Sequence, residues 1–101
     1  MKKRIMVMVK KPGEAPYVEP MFENTLEAFQ NAVGGYIETY TLAKDIVLVC
    51  NEEGKLIGLP YNLTIGREDF VGTVVAVGIE GDDFASLRAS TIPAVRMLLG
   101  G

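Results

Sequence analysis

Three tyrosines, a glutamate, an asparagine and an arginine have the types and spacing best suited to holding a small molecule. Tyr36, Glu38 and Tyr40 alternate along one segment, and in a strand every second side chain points to the same face. On an open face, two aromatic rings flanking a carboxylate form a stacking and hydrogen-bonding platform for a base or nucleoside. On a covered face the same three are core and rim beneath a helix. Tyr61, Asn62 and Arg67 bring an aromatic plane, an amide and a guanidinium, a set suited to a small anionic or heterocyclic ligand. Surface-loop residues without such a role have the same composition.

Bond-making chemistry is poorly supplied. The chain contains no histidine, which removes the commonest general base and the commonest neutral metal ligand. No phosphate-binding Gly-x-x-x-x-Gly-Lys-Ser/Thr loop is present, and Gly66, Gly72, Gly78 and Gly81 do not follow a dinucleotide fingerprint. The acidic pairs Glu52/Glu53, Glu68/Asp69 and Asp82/Asp83 fall at expected turns, where solvated carboxylates are the ordinary reading. Cys50 ends the apolar run Ile46-Val47-Leu48-Val49 and reads as a small buried hydrophobe. The residues therefore point to a non-catalytic domain without metal or cofactor.

The elements that must position these residues follow from apolar patterning. Ile5 to Val9 is an unbroken apolar run, as expected of a strand covered on both faces or near the sheet centre. Tyr17 to Phe22 contains Pro20, which cannot donate to a ladder, so the segment belongs at an edge or near a strand end. Asn24, with Glu27 three residues on, is expected to cap a helix over Thr25 to Val33. Leu26, Phe29 and Val33 make its apolar stripe, and Gly34 suits its left-handed end. Tyr36 to Leu42 and Ile46 to Cys50 read as strands. Asn51-Glu52-Glu53-Gly54 reads as a hairpin turn into a strand at Lys55 to Leu59, with Gly54 taking a positive φ. Pro60 to Asp69 reads as an ordered excursion, and Phe70 to Gly78 as one central strand. Phe84 to Leu87 is expected to form a turn of helix. Ser90 or Thr91 is expected to cap a last helix reaching Leu99, with Pro93 in its first turn.

The order is ββ-α-ββββ-α, which predicts one α+β domain over residues 1–101: a mostly antiparallel sheet of about five or six strands with two helices packed on it. A 101-residue chain is long enough to fold without disulfides. Its 49% apolar content predicts a generous core or a covered surface, and a homodimer is the expected assembly. Five of the ten cations lie in the first eleven residues while the net charge is −3. They bracket a strand instead of forming a continuous basic face, so direct nucleic-acid binding is not expected. The apolar run after the N-terminal cations is too short for an export signal, and no stretch approaches the roughly 20 residues that cross a bilayer. A cytoplasmic protein without a membrane partner is expected.

The stretch Gly34-Gly35-Tyr36-Ile37-Glu38, then Ile46 to Leu56 including Cys50-Asn51-Glu52-Glu53-Gly54-Lys55, and Gly58-Leu59-Pro60-Tyr61-Asn62 resembles the family catalogued as domain of unknown function 3846. Val71-Gly72-Thr73-Val74 to Gly78 and Phe84-Ala85-Ser86-Leu87 fit the same pattern. The chain departs from it in carrying Leu63 and Thr64 where another polar residue and an arginine often follow. The resemblance implies a phage or mobile-element setting and no particular activity. Two functions are then expected. One is an accessory domain that binds and sequesters a small nucleotide-like signal in host defence. The alternative is a protein-binding module that inhibits a host defence or restriction enzyme through acidic loops or a sheet edge.

Overall fold

The computed structural model describes residues 3–100. Strand β1, Arg4–Lys10, runs beside strand β2, Tyr17–Glu23, in antiparallel register from Arg4 opposite Glu23 to Val9 opposite Tyr17. Helix α1, Leu26–Val33, follows. Its cap is Thr25, whose side chain accepts from the Ala28 amide at 3.1 Å. Asn24, the expected cap, instead donates its Nδ2 to the Phe84 carbonyl at 3.1 Å, a distant tie that a local pattern does not encode. Gly34 ends the helix with φ 82°, the left-handed region that a side chain enters only at a cost. Phe29 and Val33 are buried, whereas Leu26, placed on the same stripe, stands 60% exposed.

Strands β3, Ile37–Ala43, and β4, Ile46–Asn51, form the next antiparallel pair. The expected strand at Lys55 to Leu59 does not form. Asn51 Oδ1 accepts from the Glu53 amide at 2.8 Å, and its Nδ2 donates to the Val33 carbonyl at 3.1 Å. That side-chain turn starts a coil in which Ile57 N donates to Glu53 O at 3.0 Å and Leu59 N to Gly54 O at 3.0 Å. The backbone groups of a ladder are thereby consumed, and Leu56 and Ile57 remain 86% and 60% exposed. Gly54 does not take a positive φ; Gly58 does, at 74°. Gly54 is needed for closeness instead, because a Cβ there would lie 2.9 Å from Val71 Cγ2.

The expected excursion over Pro60 to Asp69 is a hairpin: β5, Tyr61–Ile65, pairs with β6, Glu68–Val71. Gly66 takes φ 61° at the first of its two turn residues, as a tight two-residue hairpin requires. Phe70 to Gly78 is accordingly two strands. The chain leaves β6 at Gly72 and enters β7, Val74–Glu80. Phe84 to Leu87 is extended, not helical. Strand β8, Asp83–Ala85, pairs with β7, and Leu87 N donates to Met6 O at 2.9 Å while Ser86 Oγ accepts from Met6 N at 2.9 Å. A short 3-10 turn, Ala89–Thr91, leads into helix α2, Ile92–Leu98, with Pro93 in its first turn. Thr91 stands at the cap position but spends its hydroxyl on Arg88 O at 2.7 Å.

The main sheet has six strands in the order β2-β1-β7-β4-β3, with β8 also on β7, and all its pairings are antiparallel. This is the expected α+β architecture, with β2 at one edge and β3 at the other. Each face has its own core. Phe29 and Val33 of α1 cover Ile5, Val7, Val9, Val49, Val75 and Val77. On the opposite face, Val95 and Leu99 of the C-terminal segment and Leu63 and Phe70 of the β5–β6 hairpin cover Met8, Leu48, Cys50, Val74 and Ala76. The unbroken apolar runs of β1, β4 and β7 thus reflect strands buried on two faces. Among the described residues, no helix is long and apolar enough to cross a membrane.

Candidate functional site

The alternation along β3 puts Glu38 and Tyr40 on the face covered by the hairpin, where they meet residues far along the chain. Tyr40 packs edge-on against Phe70 of β6, with ring centroids 5.1 Å apart and planes at 82°, a favourable aromatic arrangement. Between them the surface opens into a groove of about 260 Å³, lined by Glu38, Tyr40, Glu52, Lys55, Glu68 and Asp69 among others. Cys50 forms part of its floor, with Sγ 3.9 Å from Glu38 Oε1 and 3.7 Å from Glu38 O. Burial first, then the Glu38 carboxylate, pushes the Cys50 thiol up to about 11. A thiol held protonated in this way is a poor nucleophile.

Four carboxylates, Glu38, Glu52, Glu68 and Asp69, face one ammonium, Lys55, which leaves the groove with a net charge of −3. The whole chain carries the same −3, so the rest of the molecule is balanced and the imbalance is concentrated here. Lys55 Nζ lies 2.8 Å from Glu68 Oε2. That hydrogen bond, with the fields of Asp69 and Glu38 adding, outweighs desolvation and raises the Lys55 pKa. Asp69 Oδ1 accepts from Thr64 Oγ1 at 2.6 Å. Since Thr64 has one hydroxyl proton, the Tyr61 hydroxyl donates to Thr64 Oγ1 at 2.6 Å. Among the described residues, no group of three or more His, Cys, Asp or Glu is arranged to hold a metal ion. The carboxylates are dispersed along the groove, a layout that suits several separate positive charges better than one ion.

Of the six residues singled out by spacing, the structure gathers Glu38 and Tyr40. Tyr36, 68% exposed, lines a separate shallow depression with Gly34, Gly35, Glu53 and Ile57. Tyr61 joins the hairpin surface through Thr64. Arg67 is exposed in the hairpin turn. Asn62 is buried: its Nδ2 donates to the carbonyls of Lys10 and Gly72 at 2.8 and 2.7 Å, and its Oδ1 accepts from Lys10 Nζ at 2.9 Å. The amide locks β5 to the end of β1 and to the bend that precedes β7.

Sequence reasoning missed Glu52, Lys55, Glu68 and Asp69 as neighbours of Glu38. Glu68 and Asp69 do not sit in a turn but open β6, and Asp83 likewise opens β8. Recognising Gly66-Arg67 as a two-residue turn would have placed Asp69 opposite Thr64, the register the structure shows. A second concavity of about 290 Å³ lies between the β3–β4 turn and β7. Its charges balance, with Lys44 and Arg88 against Asp45 and Glu80.

A six-stranded antiparallel sheet with a carboxylate-lined groove at one edge defines an α+β domain with a charged contact surface. Residues 1–99 match the family described as Domain of unknown function (DUF3846), and the chain belongs to that family. Neither the curated proteins nor the solved structures contain a significant match.

Proposed function

We propose that this chain is a non-catalytic protein-binding domain whose groove beside β3 receives a positively charged segment of a partner. The observation that carries the proposal is the concentration of the chain's −3 in that groove. Such a surface attracts basic partners and repels phosphate-bearing ones, and its effect on encounter is largest at low salt. A nucleotide-like ligand would find a stacking surface on Tyr40 and three more negative than positive charges around it. The protein-binding reading therefore has the stronger physical support. In the phage or mobile-element setting that the family resemblance implies, the natural partner is a host defence or restriction enzyme whose nucleic-acid site is basic.

A pull-down from host lysate tests this with the wild type, a groove variant (Glu38→Gln, Glu68→Gln, Asp69→Asn) and a control variant neutralised at the exposed start of β8 (Asp82→Asn, Asp83→Asn). The wild type and the control retain the same partner at low salt and lose it at high salt, and the groove variant does not retain it. Equal retention by all three would refute the reading.

A further inference from the structure

We propose that the partner segment adds to the sheet as an extended strand along β3, with lysine or arginine at every second position facing the groove. The inference rests on the reading of the groove as a site for a positively charged partner, and it adds a backbone mode and a sequence pattern to it.

The open edge carries the argument. β3 ends the sheet and is paired only with β4. The Glu52 amide donates to the Tyr36 carbonyl at 2.9 Å, and this sets the phase of the ladder. Antiparallel residues that exchange hydrogen bonds alternate with residues that do not. In the observed register, Glu38 opposite Cys50 and Tyr40 opposite Leu48 are the bonded pairs. The N–H and C=O groups of Ile37, Thr39 and Thr41 therefore point away from β4, and none has a partner among the described residues.

Natural proteins blunt such edges with proline, lysine, bulges or a covering element, because an unpaired edge templates further pairing. The opposite edge is blunted in that way. Strand β2 carries Pro20, which has no N–H, and the Met21 amide is taken up by Glu19 Oε1 at 3.1 Å. Strand β3, Ile37-Glu38-Thr39-Tyr40-Thr41-Leu42-Ala43, has neither proline nor lysine, and its one register irregularity, between Thr41 and Ala43, lies at its far end and leaves Ile37 to Thr41 in regular register. One edge is closed to strand addition and the other is open to it.

Charge then selects the occupant. Side chains of an added strand alternate between faces, so every second one falls beside Glu38 and Tyr40 with Glu52, Glu68 and Asp69 across the groove. A lysine or arginine there meets net negative charge and the exposed face of Tyr40, an aromatic ring that attracts cations. A second copy of this chain on the same edge would bring two grooves of −3 together, which disfavours self-pairing.

The test uses a fluorescent peptide of alternating lysine and threonine and an isomer in which the lysines are contiguous, each titrated into the full chain by anisotropy at low salt. The alternating peptide binds more tightly than its isomer. Backbone N-methylation of the peptide then reads the mode, since alternate amides of a strand face opposite sides. In antiparallel addition the threonine amides face β3, and methylating them weakens binding by about tenfold or more, the loss of a hydrogen bond or two. Methylating the lysine amides leaves binding unchanged. The reverse pattern reports parallel addition and also supports strand pairing. Thr39→Pro gives the protein-side check, because the Thr39 amide makes no bond to β4, and the variant binds neither peptide tightly while keeping the wild-type circular dichroism.

Equal tolerance of both methylation patterns would overturn strand addition while leaving the charged groove as a binding surface. Failure of every basic peptide at low salt would remove both. A dimer of the free chain in sedimentation that Thr39→Pro dissociates would assign the edge to a second copy and overturn the proposal.

Discussion

Replacing Asn62 with alanine is expected to unfold a large part of the structure's margin of stability, because the amide satisfies three groups at one buried point. The substitution removes the bonds to the Lys10 carbonyl at 2.8 Å, the Gly72 carbonyl at 2.7 Å and from the Lys10 ammonium at 2.9 Å. Lys10 and Asn62 are 8% and 9% exposed, so water replaces these bonds incompletely. Each buried group left without a partner costs about 1 to 3 kcal/mol. The ammonium keeps the Lys11 carbonyl at 2.9 Å, which reduces its share. A total of about 3 to 5 kcal/mol follows, a large fraction of the roughly 5 to 15 kcal/mol that stabilises a domain. In urea, with a slope of about 1 to 3 kcal/mol per molar, the unfolding midpoint falls by roughly 1 to 5 M. Two companions separate the contributions. Lys10→Met leaves both carbonyls bonded and costs less, about 1 to 2 kcal/mol. The double variant falls short of the sum of the singles, since the ammonium no longer exists to be orphaned. A loss below about 1 kcal/mol for Asn62→Ala, with the β5–β6 hairpin still docked, would refute the reasoning and free Asn62 for a ligand.

Other substitutions test the two cores and the site. Phe29 is 1% exposed with Phe22 and Phe84 each 4.8 Å from its ring centroid, and Phe29→Ala lowers stability by about 3 to 5 kcal/mol in urea denaturation. Thr25→Ala removes the cap bond to Ala28 and costs about 1 kcal/mol by the same measurement. For Cys50 the folded pKa is raised from 9.0 to about 11. The contribution is therefore complete below pH 9 and is lost as pH climbs toward 11, because the unfolded thiol ionises first. Tyrosines and lysines titrate nearby, so the measurement is the difference between wild type and Cys50→Ala in urea midpoint across that window, and a constant difference contradicts the assignment. Glu38→Gln removes the second cause of the shift and lowers the thiol pKa when thiolate absorbance is followed against pH.

Much of the fold is legible because its signals are local. The apolar runs of β1 and β4, the proline of β2 and the glycine that ends α1 each state a position that the structure bears out. Residues 52–73 resisted reading for the opposite reason. Leu56, Ile57 and Leu59 look like a strand, yet Asn51 ties its side chain to α1 and turns the backbone away. Tyr61–Ile65 and Glu68–Val71 look irregular because their polar residues pair across the hairpin, Thr64 with Asp69. The shared face of Glu38 and Tyr40 follows from strand period alone. What stands opposite them depends on where the hairpin docks, and a tertiary contact such as Tyr40 on Phe70 has no signature in spacing.

The place of β7 has a consequence for how the chain assembles as it is made. Besides β8, it pairs with β1, which begins at Arg4, and β4, which ends at Asn51, yet β7 itself begins only at Val74. During synthesis the first two ribbons leave the ribosome with nothing to join them, each showing an apolar flank. Only when this late keystone arrives do they become one molecule, after long loops have been closed at an entropic cost. Until then those flanks are the kind of exposed apolar surface and unpaired edge that invites association with other chains.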